Sequence, residues 1–388
     1  MSVSPTQLDV YRTTIPMRTF EHAAASRDRA EAVVVRMEFS DGRVGWGETL
    51  PREYVTRETP DTAVRDLKEF LWPACAKALF RVKDAVAEVP TRDEAGRCIN
   101  AAACALDLAC LRRLFPGDGG AASGAFTALA GRPGPRKEID SRVSGVLGSA
   151  DPGKTARRLR VMRCFGLRDF KLKLGLGEDV DGANLRVVHR QIGKAVACGK
   201  CSLRVDVNGA WDVQSTPERV AALREFGVCV VEQPASCSPA ELLVLARKCS
   251  LPLMADESLR TEDDAQFLLQ EPKKVWWNIR LSKNGGFIRS LLLARMAGEH
   301  RIPFTVGCMV GESSILSAAQ RLLLQWSPMP RFVEGNYGRF LLADDLVRKP
   351  LRFGYAGRLR PIKHYTSDAD VEDRKLERYG RLVATLRA

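Results

Sequence analysis

From about residue 140 to 335 the chain alternates short apolar runs with longer segments whose apolar residues recur at helical spacing. The runs are SRVSGVLG (141–148), DFKLKLG (169–175), LRVDVNG (203–209), VCVVEQP (228–234), PLMADES (252–258), VWWNIRL (275–281), PFTVGCMV (303–310) and RFVEG (331–335). Between them lie segments such as PGKTARRLRVMRCFG, TPERVAALREFG and SPAELLVLARKCS. Apolar strands alternating with helices predict a parallel β/α barrel of the TIM type rather than an open doubly wound sheet. The last helix position falls to the tail after 340.

Residues 5–50 read differently. EAVVVRMEF and GRVGWGE are joined across Ser40-Asp41-Gly42, a hairpin signal. Residues 60–82 and 93–115 carry helical spacing, and GDGGAASG followed by GRPGPR at 131–136 reads as a linker. The expectation is an α+β capping domain over 1–135, completed by about 345–388 packing back on it, and a barrel over 138–344.

Within the barrel, strand alternation sorts the polar residues. Arg204, Asp206 and Asn208 share one face of the third strand, opposite Leu203, Val205 and Val207. The same parity turns Lys171 and Lys173 inward on the second strand, Glu232 beyond Val230 on the fourth, and Asp256 beyond Met254 on the fifth. Asn278, Arg280 and Ser282 share the inward face of the sixth, and parity points Lys283 outward. All lie near the C-terminal ends of strands, where barrel active sites are built. Three inward carboxylates would repel one another unless a cation lies among them. A ligand set of carboxylates without His or Cys points to a hard divalent ion, Mg²⁺ first and Mn²⁺ as the alternative.

Composition narrows the partners. A net charge of +13 raises nucleic acid, but Lys and Arg are spread along the chain and stand beside acids, as in RDLKEF and EDRKLER; a small anionic substrate explains the sign equally well. Eleven cysteines scattered through apolar stretches resemble no disulfide framework and suit a reducing cytoplasm. Cys198-Gly-Lys-Cys201 has no second pair at ligand distance, and GLGED at 175–179 lacks the third glycine of a dinucleotide site. No apolar run is long enough for a membrane span, and the N-terminal MSVSPTQLDVYRTT has no basic-then-apolar leader pattern. The expected partners are a small carboxylate substrate and further copies of the chain, with neither nucleic acid nor membrane.

FKLKLG, VDVNGAWD, VEQP, MADES and NIRLSKNGG, in that order, resemble the enolase superfamily, specifically its muconate lactonizing enzyme subgroup, which also holds o-succinylbenzoate synthases and dipeptide epimerases. The resemblance spans nearly the whole chain and includes GWGET in the cap. It implies that Asp206, Glu232 and Asp256 bind Mg²⁺, that Lys173 is the general acid/base assisted by Lys171, and that Asn208 and Glu257 stand behind them; Lys283 is placed with these supporting residues and not as a second base. The departure is Arg280, at a position where the subgroup usually carries a second acid/base lysine. Arginine keeps its proton, so two-base epimerisation is put in doubt and Arg280 reads as a fixed cation. The reaction implied is cycloisomerisation of the muconate lactonizing type, ahead of β-elimination and of dipeptide or N-acyl amino acid epimerisation. A rival of another class is an altered barrel that only binds an anion. Substrate contacts are expected from the loops near Phe20–Ala23 and Pro51–Thr56, with His22 and Tyr54, and from GCMVGESS, with Cys308, Met309 and Glu312.

Overall fold

The computed structural model describes residues 4–22, 25–76, 89–114, 124–362 and 370–388. β1 (Pro5–His22), β2 (Ala25–Phe39) and β3 (Val44–Thr49) form an antiparallel sheet, and the β2–β3 hairpin turns at the Asp-Gly step. β1 also pairs with the last strand of the chain, Gly380–Arg387, so the sheet is built from both ends of the sequence. The helix α1 (Asn100–Leu114) covers one face of this sheet. The helical spacing read over 93–115 therefore starts too early. Residues 92–98 form a small turn in which Asp93 Oδ1 accepts from the Ala95 and Arg97 backbone N–H groups, an Asx motif that competes with helix. The glycine-rich stretch before GRPGPR lies outside the described residues apart from Gly124, which opens a short helix, Gly124–Ala130.

Eight parallel strands follow in sequential spatial order: β4 (Gly145–Leu147), β5 (Asp169–Lys173), β6 (Ser202–Asp206), β7 (Val228–Glu232), β8 (Leu253–Ala255), β9 (Val275–Ile279), β10 (Phe304–Val306) and β11 (Phe332–Val333). A parallel bridge from Val143 to Val333 joins the first strand segment to the last, with Ser144 N donating to Val333 O at 2.8 Å, which closes the barrel. The crossover helices are α2 (Pro152–Cys164), α3 (Glu178–Ala197), α4 (Thr216–Ala222), α5 (Pro239–Lys248), α6 (Glu262–Leu268), α7 (Phe287–Glu299) and α8 (Ser314–Trp326). Their starts are chemically marked. Asp151 caps α2 ahead of Pro152, and Ser238/Glu241 and Thr261/Asp264 form capping boxes on α5 and α6.

Inside the barrel, Val230, Met254 and Phe332 make a small apolar plug, with the Arg204 guanidinium 4.4 Å over the Phe332 ring. One step toward the strand C-termini, the same parity delivers Glu232 and Asp256. Cap and barrel are tied through helix N-termini, where free N–H groups favour an acid. Glu48 at the end of β3 accepts from Ser313 N (3.1 Å), Ser313 Oγ (2.7 Å) and Leu316 N (3.2 Å), and Asp107 of α1 accepts from Phe287 N (2.5 Å).

Candidate active site

β5, β6, β7 and β8 end in Lys173, Asp206, Glu232 and, one residue past β8, Asp256. Beyond β9 the chain continues into Arg280. The Lys173 ammonium donates to Asp206 Oδ2 at 2.6 Å and to Asn208 Oδ1 at 2.8 Å. Lys171 sits deeper, 3.0 Å from Glu232 Oε2, 3.1 Å from Asp206 Oδ2 and 2.8 Å from Glu334 Oε2. Arg280 Nη2 reaches one oxygen on each of two carboxylates, Glu232 Oε1 at 3.2 Å and Asp256 Oδ2. Asn208 and Gln233, just after β6 and β7, take φ of 50° and 35°. Non-glycine residues held there mark positions that the surroundings over-determine. Gln233 uses the turn to join neighbouring strand ends, accepting from Asp256 N and Ser258 N and donating to Ser258 Oγ.

Five acids (Asp206, Glu232, Asp256, Glu257, Glu334) face five bases (Lys171, Lys173, Arg204, Arg280, Lys283), so the site is formally neutral from its own side chains. The repulsion among the inward carboxylates is thus relieved by lysine and arginine. Burial would lower the Lys171 ammonium, but Glu232, Glu334 and Asp206 raise it well above the ordinary lysine range. Arg280 is likewise raised, by Asp256 and Glu232 against its burial, and stays charged. Burial works against an ionised Glu334, yet Lys171 and Arg204 hold it down at about 2. Burial and the charge of Asp206 push Glu232 up to about 7.

Among the described residues no three Asp, Glu, His or Cys side chains are arranged as a ready ligand set. The donors nonetheless suit a hard divalent cation in kind. Asp206, Glu232 and Asp256 are fully buried carboxylates with no sulfur or imidazole among them, and beside them Glu257 Oε2 is buried without a partner. The lysines and Arg280 hold the oxygens that such an ion would take.

Parity fails for Lys283. β9 stops at Ile279 and the chain turns, so alternation ends there. The Lys283 side chain is fully buried and turned inward, donating to Asp256 Oδ1 (2.9 Å), Asp256 O (2.7 Å) and Asn278 O (2.7 Å). Glu257 Oε1 accepts from Asn208 Nδ2 at 3.4 Å. Met309 Sδ lies 3.9 Å from Arg280 Nη1, and Glu312 accepts from Met309 N, its carboxyl pushed up to about 8 by burial. Tyr54 packs against the barrel core. The His22 side chain and Ala23 lie outside the described residues. A cavity of about 640 Å³ opens over the site, lined by Lys171, Lys173, Arg280, Cys308, Glu334 and Tyr337 among others; Lys283, Tyr54, Met309 and Glu312 are not on its wall. Glu334 was missed by the motif reading. Its signal is Arg204, an inward arginine on β6 that requires a buried acid across the barrel and finds it at 2.6 Å.

A profile described as Enolase C-terminal domain-like matches residues 154–359, more than half of the chain. The chain belongs to the enolase superfamily. It is an enzyme of that superfamily, whose members among its relatives are chiefly epimerases and racemases, with a muconate cycloisomerase among them. It is 28% identical over 327 residues to an N-succinyl-L-Arg/Lys racemase of Bacillus cereus, covering 81% of this chain and 82% of the relative. To muconate cycloisomerase 1 of Pseudomonas putida it is 27% identical over 347 residues, covering 83% of each. The solved structure of a dipeptide epimerase from Cytophaga hutchinsonii complexed with Mg and dipeptide D-Ala-L-Val superposes with a TM-score of 0.81 at 21% identity, covering 99% of both chains. No helix among the described residues is long and apolar enough to cross a membrane.

Proposed function

We propose that the protein moves a proton on the carbon next to a substrate carboxylate, from one face only, in a cycloisomerisation of the muconate lactonizing type. Asp206, Glu232 and Asp256 would hold Mg²⁺, which supplies positive charge to the substrate carboxylate as negative charge develops on it. As the substrate's other carboxylate oxygen adds to the double bond and the displaced electron pair forms the enolate-like intermediate, Lys173 delivers its Nζ proton to the carbon beside the reacting carboxylate. In the reverse direction it takes that proton as the carbon–oxygen bond breaks, and Asn208 accepts from the ammonium and keeps it aimed. Lys171, held charged by three acids, adds fixed positive charge to an enolate-like intermediate.

The observation that carries the one-face reading is Arg280. β5 and β9 are the second and sixth of eight strands, so Lys173 and Arg280 stand across the barrel from each other. An arginine on the far side can polarise but cannot take up a proton near neutral pH. Lys283, a lysine close by, makes three hydrogen bonds beneath Asp256 and lies off the cavity wall. β-Elimination uses the same single base and is the nearest neighbour of this reading. The second reading is epimerisation or racemisation of an N-acyl amino acid or dipeptide, favoured by the names of the relatives. The experiment is α-proton exchange in D₂O with Mg²⁺, followed by ¹H NMR over a panel of muconates, N-acyl amino acids and dipeptides. Exchange that survives intact in Lys173→Ala refutes the mechanism.

A further inference from the structure

A second cavity, of about 130 Å³, lies where the cap meets the loops after β8 and β9, and it shares no lining residue with the cavity over the active site. The cap contributes the turn before α1 and Asn100, the first residue of α1; the barrel contributes residues 260–263 leading into α6, with Asn284 and Arg289 after β9. Asn100 is 2% exposed. Its Nδ2 donates to Arg260 O at 2.8 Å and to Lys283 O at 2.7 Å, but its Oδ1 is buried with no hydrogen-bond partner among the described residues. Glu262 Oε1 is likewise buried without a hydrogen bond, 3.5 Å from Arg289 Nη1. A buried acceptor left unpaired is costly, and two of them line one small space.

The same wall carries charge of both signs. Arg92 Nη2 lies 3.1 Å from Asp263 Oδ2, whereas the Arg260 guanidinium makes no ion pair among the described residues. A metal ion would meet three arginines there, and an inorganic anion would meet Glu262 and Asp263 as like charges. A small ligand with an ammonium and a carboxylate suits both: N–H donors for Asn100 Oδ1 and Glu262 Oε1, and a planar anion for the fork of Arg260. The cavity wall is also the back of the loop that carries Arg280, since Asn284 Oδ1 accepts from Arg280 N at 2.9 Å and Asn284 Nδ2 donates to Leu259 O at 3.0 Å.

We propose that this cavity binds a small α-amino acid, whose ammonium is received by Asn100 and Glu262 and whose carboxylate is received by Arg260. A ligand so held joins the cap to the barrel behind Arg280 and stabilises the folded chain by its binding. The site stands apart from the proposed reaction, so either can fail without the other. Glycine, which carries both groups and little else, is the probe. Calorimetric titration of the full chain, without Mg²⁺ so that no metal-bound carboxylate contributes, compares it with acetate, methylammonium and inorganic phosphate. Glycine binds at least about tenfold more tightly than acetate or methylammonium, as expected when each half adds a charge-assisted hydrogen bond, and it raises the melting temperature. Arg260→Gln, which removes a side chain without an ion pair, weakens glycine binding by about tenfold or more, and Glu262→Gln does the same; either folded variant suffices for the test. Lys173→Ala, altered in the other cavity, binds glycine like the unmodified chain. Four results overturn the proposal: no heat and no melting shift with glycine, which leaves the cavity to water; phosphate binding more tightly than glycine; glycine affinity unchanged in Arg260→Gln and Glu262→Gln; or affinity lost in Lys173→Ala, which puts glycine over the active site.

Discussion

Arg280 Nη2 touches both Glu232 and Asp256, two of the three proposed metal ligands, so the guanidinium and a divalent ion compete for the same oxygens. Arg280→Met removes the competitor. It leaves two buried carboxylates short of a cation, costing about 3–5 kcal/mol in the metal-free protein, and it makes the Mg²⁺-induced rise in melting temperature larger than in the unmodified chain. An equal or smaller rise in the variant argues against shared oxygens. Asp206→Asn, Glu232→Gln and Asp256→Asn should each abolish the Mg²⁺-induced shift while the barrel stays folded; a shift persisting in all three would place the ion elsewhere. Lys173→Ala should slow proton transfer by at least about 10²–10⁴-fold, the share of a positioned acid/base, with Mg²⁺ binding retained. Much of this site was legible residue by residue, because strand parity fixes direction wherever a strand persists. Lys283 was misread one turn beyond the strand end. The neutralisation of the acids by Lys171, Lys173 and Arg280 was not legible either, since it depends on how far long side chains reach across the barrel.

At the scale of elements, the eight strands and seven crossover helices were readable from alternation, because a parallel sheet buried on both faces leaves short apolar runs punctuated by helix caps. The joint between cap and barrel was not. Glu48 and Asp107 look like ordinary acids in the sequence, and only the folded chain brings them to the N-termini of α8 and α7. Burial pushes both up to about 7. An acid whose folded pKa lies above its unfolded value of about 4 stabilises the fold at low pH and loses that contribution as pH rises through 7. Urea midpoints should therefore fall between pH 5 and pH 8, and Glu48→Gln, which cannot ionise, should reduce the fall. An identical pH dependence in the variant would remove Glu48 from the account. The opposite limb belongs to Glu334, whose stabilisation is lost only as pH drops toward about 2.

Over the whole molecule, the positive net charge found a local expression that composition could not locate: a cavity rimmed by cations and walled by Phe340 and Phe353. That wall comes from the tail after β11, which has no period to read and occupies the place of an eighth barrel helix. The central claim remains that one lysine face, and not two, moves the proton. It is tested most directly by incubating both enantiomers of any acid that exchanges, in D₂O with Mg²⁺, and following deuterium and configuration together by NMR and chiral chromatography. The account predicts that one enantiomer takes up deuterium with its configuration retained and the other stays protiated. Deuterium appearing in both enantiomers, with interconversion between them, would contradict it and make Arg280 no barrier to two-face chemistry.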